Sequence, residues 1–328
     1  MQGRIEIGED LIAKTERKLQ TLPEYVTSWY LNMRASYKTP GSCREYVFKV
    51  SKFLETINKN AKDIKLNQIT ENAVTSYMMS IDIKTKNGKS LKTSDSHKNT
   101  TWYALNSFLQ YLTDHNMIDR NYIQSIKKKK NKDLDRINRH RVRLTADDFN
   151  KLLSYINKDN SRYPERDKAI LLIFMTTGMR KSALSSIDIE DINLKDNKLI
   201  IIDKGDTTHE YPLNPMEKNA ILTWLDKRNE FKNAESSSAL FLSNRGNRIS
   251  GADLEKLIKR YTAGSLSTSV SPHKLRSGFV SIMYNQTGDI EKVRRMVGHK
   301  NIATTQRYIV TEGTEKEEAA MIMESLLA

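Results

Sequence analysis

A strongly basic segment with almost no apolar residues divides this chain into two parts. It runs from residue 127 to residue 143 and reads KKKKNKDLDRINRHRVR, with nine Lys and Arg against two Asp. Because a hydrophobic core needs apolar side chains, a segment of this composition cannot contribute to one and is typical of a linker. The cores must therefore form on either side of it, and 328 residues are enough for two domains.

The charge of the chain points to a polyanionic partner. The formal net charge is +14, and the basic segment alone carries +7. Nucleic acid is the first candidate for such a partner and an anionic membrane surface is the second. A solvated tether is the plain alternative, although a basic tether between two domains also suits a protein that encircles DNA. The side chains predicted to contact DNA are Lys127, Lys128, Lys129, Lys130, Arg139, Arg141 and Arg143.

Composition argues against several other classes of protein. The mean hydropathy is −0.62 and no long apolar run exists, so no membrane-spanning helix is predicted. The first residues, MQGRIEIGEDLIAK, lack the apolar stretch of a secretory signal. The single cysteine, Cys43, excludes an intrachain disulfide and suits a reducing cytoplasm. No Cys/His cluster has zinc spacing, and we expect no structural metal.

Before the basic segment, residues 21–126 predict a helical bundle. Apolar residues recur there at helical spacing in four stretches, as in the core faces of packed helices. The stretches begin near Thr21, Thr39 and Thr70 and after the polar segment 84–97, which we expect to be a loop. Residues 1–20 form a predicted N-terminal extension. No catalytic pattern appears in this half, so the bundle is expected to hold a partner.

After the basic segment, residues 144–312 predict a mostly helical domain. Thr145 and Asp148 form a helix-capping signature, and the apolar stretch 166–176 predicts a buried helix. Further helices are predicted over 216–231, 250–262, 272–286, 289–297 and 302–308. The fold class expected for the whole chain is therefore mainly α.

A small antiparallel sheet is the β component of this second domain. Two short β-patterned runs flank Lys204-Gly205-Asp206, which has the chemistry of a turn. This pattern predicts a β-hairpin with Lys204 near its tip. The segment ALFLS, residues 239–243, is a candidate for one more strand. The second domain is thus predicted as α+β, with little β structure.

Five short motifs in the second domain carry the side chains suited to chemistry. They are Arg180 in TTGMRKSA, Lys204 in DKGD, His273 and Arg276 in HKLR, His299 in VGH, and Tyr308 in TTQRY. The series resembles the tyrosine recombinase (phage integrase) family, whose pattern is T-G-x-R-x-S-E, G-K-G, H-x-L-R, L-G-H and a tyrosine nine residues later. The resemblance covers roughly residues 140–312, and the helical first half fits the family's core-binding domain in layout. One such motif is weak, whereas five in order are a strong signal.

This resemblance implies a phosphate clamp made of Arg180, Arg276 and His299. A phosphodiester attacked by an oxygen nucleophile accumulates negative charge on its non-bridging oxygens. Two guanidinium groups bind those oxygens with paired hydrogen bonds that strengthen as the charge develops. His299 donates one further hydrogen bond to the same phosphate.

The same resemblance assigns Tyr308 as the nucleophile and implies proton transfer by two other side chains. His273 is the candidate general base for the Tyr308 proton, because imidazole titrates near neutrality. Lys204 protonates the departing 5′-oxygen. The resulting 3′-phosphotyrosyl bond conserves the energy of the phosphodiester, so no ATP, metal or other cofactor is expected.

Each of these side chains also has an ordinary explanation when it is taken alone. A hairpin lysine is usually solvated, His273 is a plain first-turn histidine after Pro272, and Tyr308 is one of 14 tyrosines. The ordinary explanations require five coincidences in the correct order. We therefore prefer the catalytic interpretation.

Two positions depart from the family's pattern. Ala183 stands where an acidic residue is usual, and Ser277 stands where His or Asp is usual. The missing carboxylate leaves Arg180 less firmly oriented unless Asp188, Glu190 or another acid replaces it. Slower or more tightly regulated cleavage is the hypothesis that follows.

The assembly is also predicted from the resemblance. The two domains are expected to form a clamp around duplex DNA. The protein is expected to be a monomer in solution, and four protomers assemble on two DNA sites. An accessory DNA-bending protein is a further candidate partner, and we expect no membrane partner. Residues 313–328 predict a helix with an apolar face, which docks either on its own domain or on a neighbouring protomer. We expect a cytoplasmic protein that joins the nucleoid when bound to DNA.

The function predicted is site-specific DNA recombination, with integration of a mobile genetic element as the preferred role. Resolution of chromosome or plasmid dimers, as in Xer-type proteins, is the alternative role. Two other classes stay open: a type IB-like topoisomerase that acts alone, and a DNA-binding protein without catalysis.

Overall fold

The computed structural model describes most of the chain and shows a mainly helical protein. The described residues are 2–81, 83–86, 89–128, 144–158, 161–203, 207–231, 233–299, 301–306 and 323. They divide into two compact units, one of Ile5–Asp133 and one of Leu134–Ala328 together with Met1–Arg4. The border at 133 and 134 falls inside the predicted linker, whereas the roles assigned to the domains stay predictions. Within the described ranges, no helix has the length and apolar character needed to cross a membrane.

The described residues of the amino-terminal part include five α-helices and three short 3-10 helices. The α-helices are α1 Gln2–Leu19, α2 Glu24–Ala35, α3 Pro40–Ile57, α4 Glu71–Ser80 and α5 Asp95–Asp114, and the 3-10 helices are Ala61–Asp63, Leu66–Gln68 and Tyr122–Ser125. The hydroxyls of Thr39, Thr70 and Ser94 each accept a backbone N–H from the first turn of α3, α4 and α5, respectively. The apolar stripe predicted for the last helix is confirmed, since Leu105, Phe108, Leu109 and Leu112 are fully buried.

The loop predicted for residues 84–97 is wrong. Strands β1 Ile83–Lys86 and β2 Lys89–Lys92 pair antiparallel, with Lys86 opposite Lys89, and α5 begins at Asp95. Asn-Gly stands between the strands in the sequence, and this pair is a strong signal for a two-residue hairpin. The many lysines made the segment look like a solvated loop, although the alternation along each run suits a strand.

The carboxy-terminal unit has eight α-helices among its described residues. They are α6 Ala146–Ile156, α7 Pro164–Thr177, α8 Lys181–Ser185, α9 Pro215–Arg228, α10 Gly251–Ser265, α11 Pro272–Thr287, α12 Ile290–Met296 and α13 Ile302–Gln306. The capping box of Thr145 and Asp148 is present at the start of α6, as predicted. Helix α7 lies at the centre of the core, and its residues from Ala169 to Phe174 are all buried.

The predicted hairpin is confirmed, and the strand predicted at 239–243 is not found. Strands β3 Ile192–Asn193, β4 Lys198–Asp203 and β5 Thr207–Pro212 form an antiparallel sheet in the order β3-β4-β5, and Asp203 pairs with Thr207. Lys204 falls between these paired residues in the sequence and lies outside the described residues. Residues 239–243 make only isolated bridges, at Ala239 and Leu242. Their apolar run reflects complete burial rather than a regular strand.

Candidate active site

Four of the six predicted catalytic side chains line one pocket of the carboxy-terminal unit. The pocket has a volume of about 580 Å³ and is lined by Arg180, His273, Arg276 and His299. Lys204 and Tyr308 lie outside the described residues, and Tyr308 follows the last residue of α13 by two positions. Segments that are far apart in the sequence thus contribute to a single site.

Arg180 follows a tight turn that connects α7 to α8. Gly178 ends α7 with a left-handed φ of 57°, and a Cβ atom there would lie 2.4 Å from Cδ1 of Phe279. Only glycine meets both conditions without strain. Arg180 then stands directly before α8, and its Nη2 donates to the carbonyl of Gly298 at 3.4 Å.

Arg276 connects the segments that carry the other two members of the predicted phosphate clamp. It lies in α11 and is 4% exposed. Its Nη1 donates to the carbonyl of Gly178 at 2.6 Å, and its Nη2 donates to the carbonyl of Val297 at 2.8 Å. A guanidinium has five N–H donors in a planar fork, a geometry that suits the oxygens of a phosphate.

His299 is a buried, neutral imidazole at the pocket wall. It is 3% exposed, and its Nδ1 lies 2.9 Å from Oγ1 of Thr305. Burial, followed by the nearby charges of Arg276 and Arg180, lowers the pKa of His299 from 6.5 to about 4. At neutral pH the ring therefore carries one N–H group, which is enough for the hydrogen bond predicted from the sequence.

His273 stands in the first turn of α11 and is exposed. Its exposure at the pocket rim suits a group that exchanges a proton with a substrate or with solvent. The hydroxyl of Ser277, one of the two departures from the family pattern, donates to the carbonyl of His273 at 2.9 Å. Ser277 thus makes a local bond within the helix.

The other departure, Ala183, is packed in the hydrophobic core and is 4% exposed. The acids proposed to replace its missing carboxylate lie elsewhere. Asp188 is fully buried, where one oxygen accepts from Arg248 at 2.6 Å and the other accepts from the N–H of Gly3 at 2.9 Å. Glu190 is exposed. These contacts make Asp188 the partner of Arg248 and give no support to its proposed role at Arg180.

The pocket is positive on balance. Its carboxylate is Glu255, which accepts from Lys259 at 2.7 Å and from Lys181 at 3.1 Å. The hydrogen bonds from these two lysines lower the pKa of Glu255. In the described part of the chain, no group of three or more His, Cys, Asp and Glu could hold a metal ion. A phosphate diester matches this set of cations and N–H donors.

Two residues beside the pocket had been given no role from the sequence. The ring of His209, on β5, lies against Gly298, since a Cβ atom on Gly298 would be 2.5 Å from Cε1 of His209. Thr305, on α13, is fully buried against His299. Thr305 is part of the quoted TTQRY motif, which offers a weak signal, whereas no signal in the sequence points to His209.

Of the predicted DNA-binding residues, Lys127 and Lys128 are described and the other five lie outside the described residues. The ammonium of Lys128 lies 4.9 Å from the ring centroids of both Trp102 and Tyr103. Such cation–π contacts hold the basic group against aromatic rings. Lys128 is therefore partly ordered by its own unit, unlike a fully solvated tether.

Comparison with known proteins places the chain in a family. The model of the phage integrase family matches residues 142–314, which is more than half of the chain. The protein therefore belongs to the phage integrase family, as the five motifs predicted. Within that family it is similar to tyrosine recombinase XerC of Shewanella amazonensis, with 32% identity over 207 residues, 62% of this chain and 67% of the relative.

The extent of these matches differs between relatives. XerC proteins of two Vibrio species, of Alcanivorax borkumensis and of Actinobacillus succinogenes are matched over only 51% to 54% of their own length. The chain thus spans about half the length of several curated relatives.

Solved structures share the fold. One similar structure is the XerH site-specific recombinase bound to its difH substrate in a pre-cleavage complex. The TM-score is 0.63 and the identity is 24%, and the match covers 89% of this chain and 82% of that chain. A λ integrase tetramer bound to a Holliday junction matches with a TM-score of 0.58 and 16% identity, over 88% and 76%. The expected mainly α fold with a small antiparallel sheet is thereby confirmed.

Proposed function

We propose that this protein is a site-specific DNA recombinase that cuts and rejoins DNA through a 3′-phosphotyrosyl intermediate. The observation that carries the proposal is the convergence of Arg180, His273, Arg276 and His299 on one positive pocket. The segment that leads to Tyr308 begins at this pocket, since Thr304 also lines it. Membership of the phage integrase family supports the same reaction.

In the proposed reaction, Arg180 and Arg276 bind the non-bridging oxygens of the scissile phosphate. The neutral ring of His299 donates a third hydrogen bond. These donors stand in fixed positions in a partly buried pocket, so they stabilise the developing charge without reorganising during the reaction. Removal of one such donor typically slows a reaction by about 10²–10³-fold.

The proton transfers complete the proposed mechanism. Tyr308 attacks the phosphorus and loses its proton to His273, while the bond from phosphorus to the 5′-oxygen breaks and Lys204 protonates that oxygen. A 5′-hydroxyl of a second strand then attacks the phosphotyrosine and restores the phosphodiester. The second step reverses the first, so the number of phosphodiester bonds is unchanged and no nucleotide cofactor or metal is consumed.

The proposed partner is double-stranded DNA, bound between the helical bundle and the catalytic domain with the basic linker along the phosphates. We propose four protomers on two DNA sites, assembled from a monomer in solution, and the λ integrase tetramer on a Holliday junction supports this arrangement. The segment 313–328, which would link neighbouring protomers, and an accessory DNA-bending protein belong to the same proposal. We also propose that the protein is located in the cytoplasm and joins the nucleoid when it binds DNA.

Two biological roles fit this activity. Integration of a mobile element remains the preferred role from the sequence, whereas the XerC relatives favour resolution of chromosome or plasmid dimers. The two roles are distinguished by comparing recombination on two substrates. One is a plasmid with two identical sites as direct repeats, and the other is a pair of unlike sites on separate molecules. Efficient deletion between identical sites supports the resolvase, and a requirement for unlike sites supports the integrase.

A covalent capture experiment tests the activity and does not require the sequence of the DNA site. The purified chain is incubated with a pool of duplexes that have a randomised core and a nick near each potential cleavage position. Cleavage then releases a short fragment and leaves the protein attached to DNA. We expect denaturant-resistant adducts whose sequences share a motif, and no adduct from a Tyr308→Phe variant.

Other outcomes separate the remaining classes. Failure to form an adduct, together with selective retention of duplexes, would indicate a DNA-binding protein without catalysis. Adducts without sequence preference, together with relaxation of any supercoiled plasmid, would indicate a topoisomerase of type IB. Transfer of a strand between two duplexes that carry the selected sequence supports the recombinase.

A further inference from the structure

His299 and Thr305 form a buried hydrogen bond beside the pocket. Oγ1 of Thr305 lies 2.9 Å from Nδ1 of His299, and the two residues are 0% and 3% exposed. Thr305 belongs to α13 and precedes Tyr308 by three residues. The bond thus connects a wall of the phosphate pocket to the helix that leads to the nucleophile.

The hydrogen atoms of this pair can be assigned from what each group needs. If Nδ1 carried the ring proton and donated it to Thr305, the hydroxyl proton would require a different acceptor. Among the hydrogen bonds of the described residues, the hydroxyl of Thr305 has His299 as its partner and no bond to a backbone carbonyl. A buried hydroxyl without an acceptor costs about 1–3 kcal/mol. The arrangement in which Thr305 donates to a bare Nδ1 avoids this cost.

Because the ring of His299 is neutral, the position of its single proton determines which hydrogen bonds it can donate. The groups that face His299 are Arg276, Arg180, His273 and Arg294, all cationic or able to become so. Together with burial they lower the pKa of His299 to about 4, so the form with two N–H groups is disfavoured at neutral pH. A neutral ring has a single N–H group, and its position on Nδ1 or Nε2 determines where it can donate.

The backbone of His299 is held separately from its ring. Arg294 donates from Nη1 to the carbonyl of His299 at 2.6 Å, and the same guanidinium is paired with Glu291. The backbone N–H of His299 donates to the carbonyl of Arg294 at 3.0 Å. The bond to Thr305 is made by the ring itself, so it acts on the rotation and the tautomer of the side chain.

We propose that Thr305 is a positioning residue that holds His299 as the Nε2–H tautomer and thereby directs an N–H donor to the DNA phosphate. The direction of the donor rests on the proposed function, whereas the tautomer can be observed without DNA. The same bond fixes α13 against the pocket. The direction of the His299 donor and the position of α13 therefore depend on one hydroxyl.

The tautomer is tested by ¹⁵N NMR on the full chain with labelled histidines. The chain has six histidines, and the spectrum of His299→Gln identifies the signals of this one. In the wild type we expect an unprotonated Nδ1 and a protonated Nε2. Thr305→Val removes the hydroxyl at nearly constant volume and should give a mixture of tautomers or a reversed one. A protonated Nδ1 in the wild type, or an unchanged tautomer in Thr305→Val, would overturn the proposal.

Two further variants control for packing. Thr305→Ser keeps the hydroxyl and should retain the wild-type tautomer. Thr15→Val removes a hydroxyl from another buried helical threonine, 1% exposed, which donates to the carbonyl of Leu11 at 2.7 Å. It should leave the His299 signals unchanged, so a change in both valine variants would contradict a specific role for Thr305.

The rate of adduct formation tests the consequence for catalysis. With saturating DNA, Thr305→Val should slow the reaction by about 10- to 100-fold, less than the full loss of an oxyanion donor. Thr305→Ser should restore most of the rate, and Thr305→Val should add little in a His299→Gln background. An unchanged rate in a variant with an altered tautomer would refute the positioning role. An inactive wild type would refute the proposed function, while the NMR result would still decide the tautomer.

Discussion

Gly298 permits a quantitative test of how the pocket is built, because two separate constraints act on it. Its φ is 65°, and an added Cβ atom would lie 2.5 Å from Cε1 of His209. Gly288 lies in the same unit with a φ of 64°, and a Cβ atom there would meet nothing within 4 Å. Replacing each glycine by alanine therefore separates the cost of the backbone conformation from the cost of the contact with His209.

The magnitudes follow from these two geometries. A left-handed conformation costs a non-glycine residue about 1–2 kcal/mol, and this is the destabilisation expected for Gly288→Ala. Gly298→Ala has the same backbone cost, and overpacking against the imidazole adds about 1–3 kcal/mol. Both substitutions restrict the unfolded chain equally, so that effect cancels in the difference between them.

Equilibrium unfolding of the full chain in urea, followed by circular dichroism, gives the free energy of unfolding of each variant. Both glycines lie in the carboxy-terminal unit, so both variants are compared on the unfolding transition of that unit. In a His209→Ala background the ring is absent, so Gly298→Ala should cost no more than Gly288→Ala does in the wild type. Equal losses for the two alanine variants in the wild-type background would refute the close contact with His209. Failure of His209→Ala to reduce the cost of Gly298→Ala would refute it independently.

Three further predictions concern the same unit. Asp188→Asn leaves the buried Arg248 without its carboxylate and should destabilise the unit by about 3–5 kcal/mol in urea unfolding. The pKa of His299 in the folded protein, about 4, lies below its ordinary value of 6.5. The contribution of His299 to the free energy of unfolding is therefore complete above pH 6.5 and is lost as the pH falls to 4, because the unfolded chain binds a proton that the folded chain does not. This loss should reach about 3 kcal/mol and be smaller in His299→Gln, as urea unfolding at several pH values will show. Arg276→Lys cannot reproduce two divergent hydrogen bonds and should lose about 2–3 kcal/mol of stability, with adduct formation abolished.

Helix ends and the hairpin could be predicted from the sequence because their causes are local. Thr145 and Asp148 lie three residues apart, and their reciprocal capping bonds form wherever a helix begins there. The turn chemistry around Lys204 likewise predicted that β4 and β5 pair. The local pattern was misjudged at β1 and β2, where the number of lysines outweighed the Asn-Gly signal between them.

The contacts that complete the pocket could not be predicted, because they join segments that are distant in the sequence. The carbonyl of Gly178 accepts from Arg276 across 98 residues, and backbone carbonyls are present at every position without distinction. The contact between His209 and Gly298 has the same character. Sequence motifs identify which side chains have suitable chemistry, whereas the groups that hold them are often main-chain atoms with no sequence signal.

Arg276 donates to two backbone carbonyls, and this changes how mutations of the proposed phosphate clamp should be interpreted. Its guanidinium fixes Gly178, two residues before Arg180, and Val297, two residues before His299. Loss of Arg276 therefore removes one proposed phosphate ligand and also releases the turns that position the two other proposed ligands. The effects of Arg276 and His299 substitutions should then be strongly non-additive, because residues in one hydrogen-bonded network share their interaction energies. A rate measured on an Arg276 variant consequently reports the integrity of the whole clamp and not the contribution of one guanidinium.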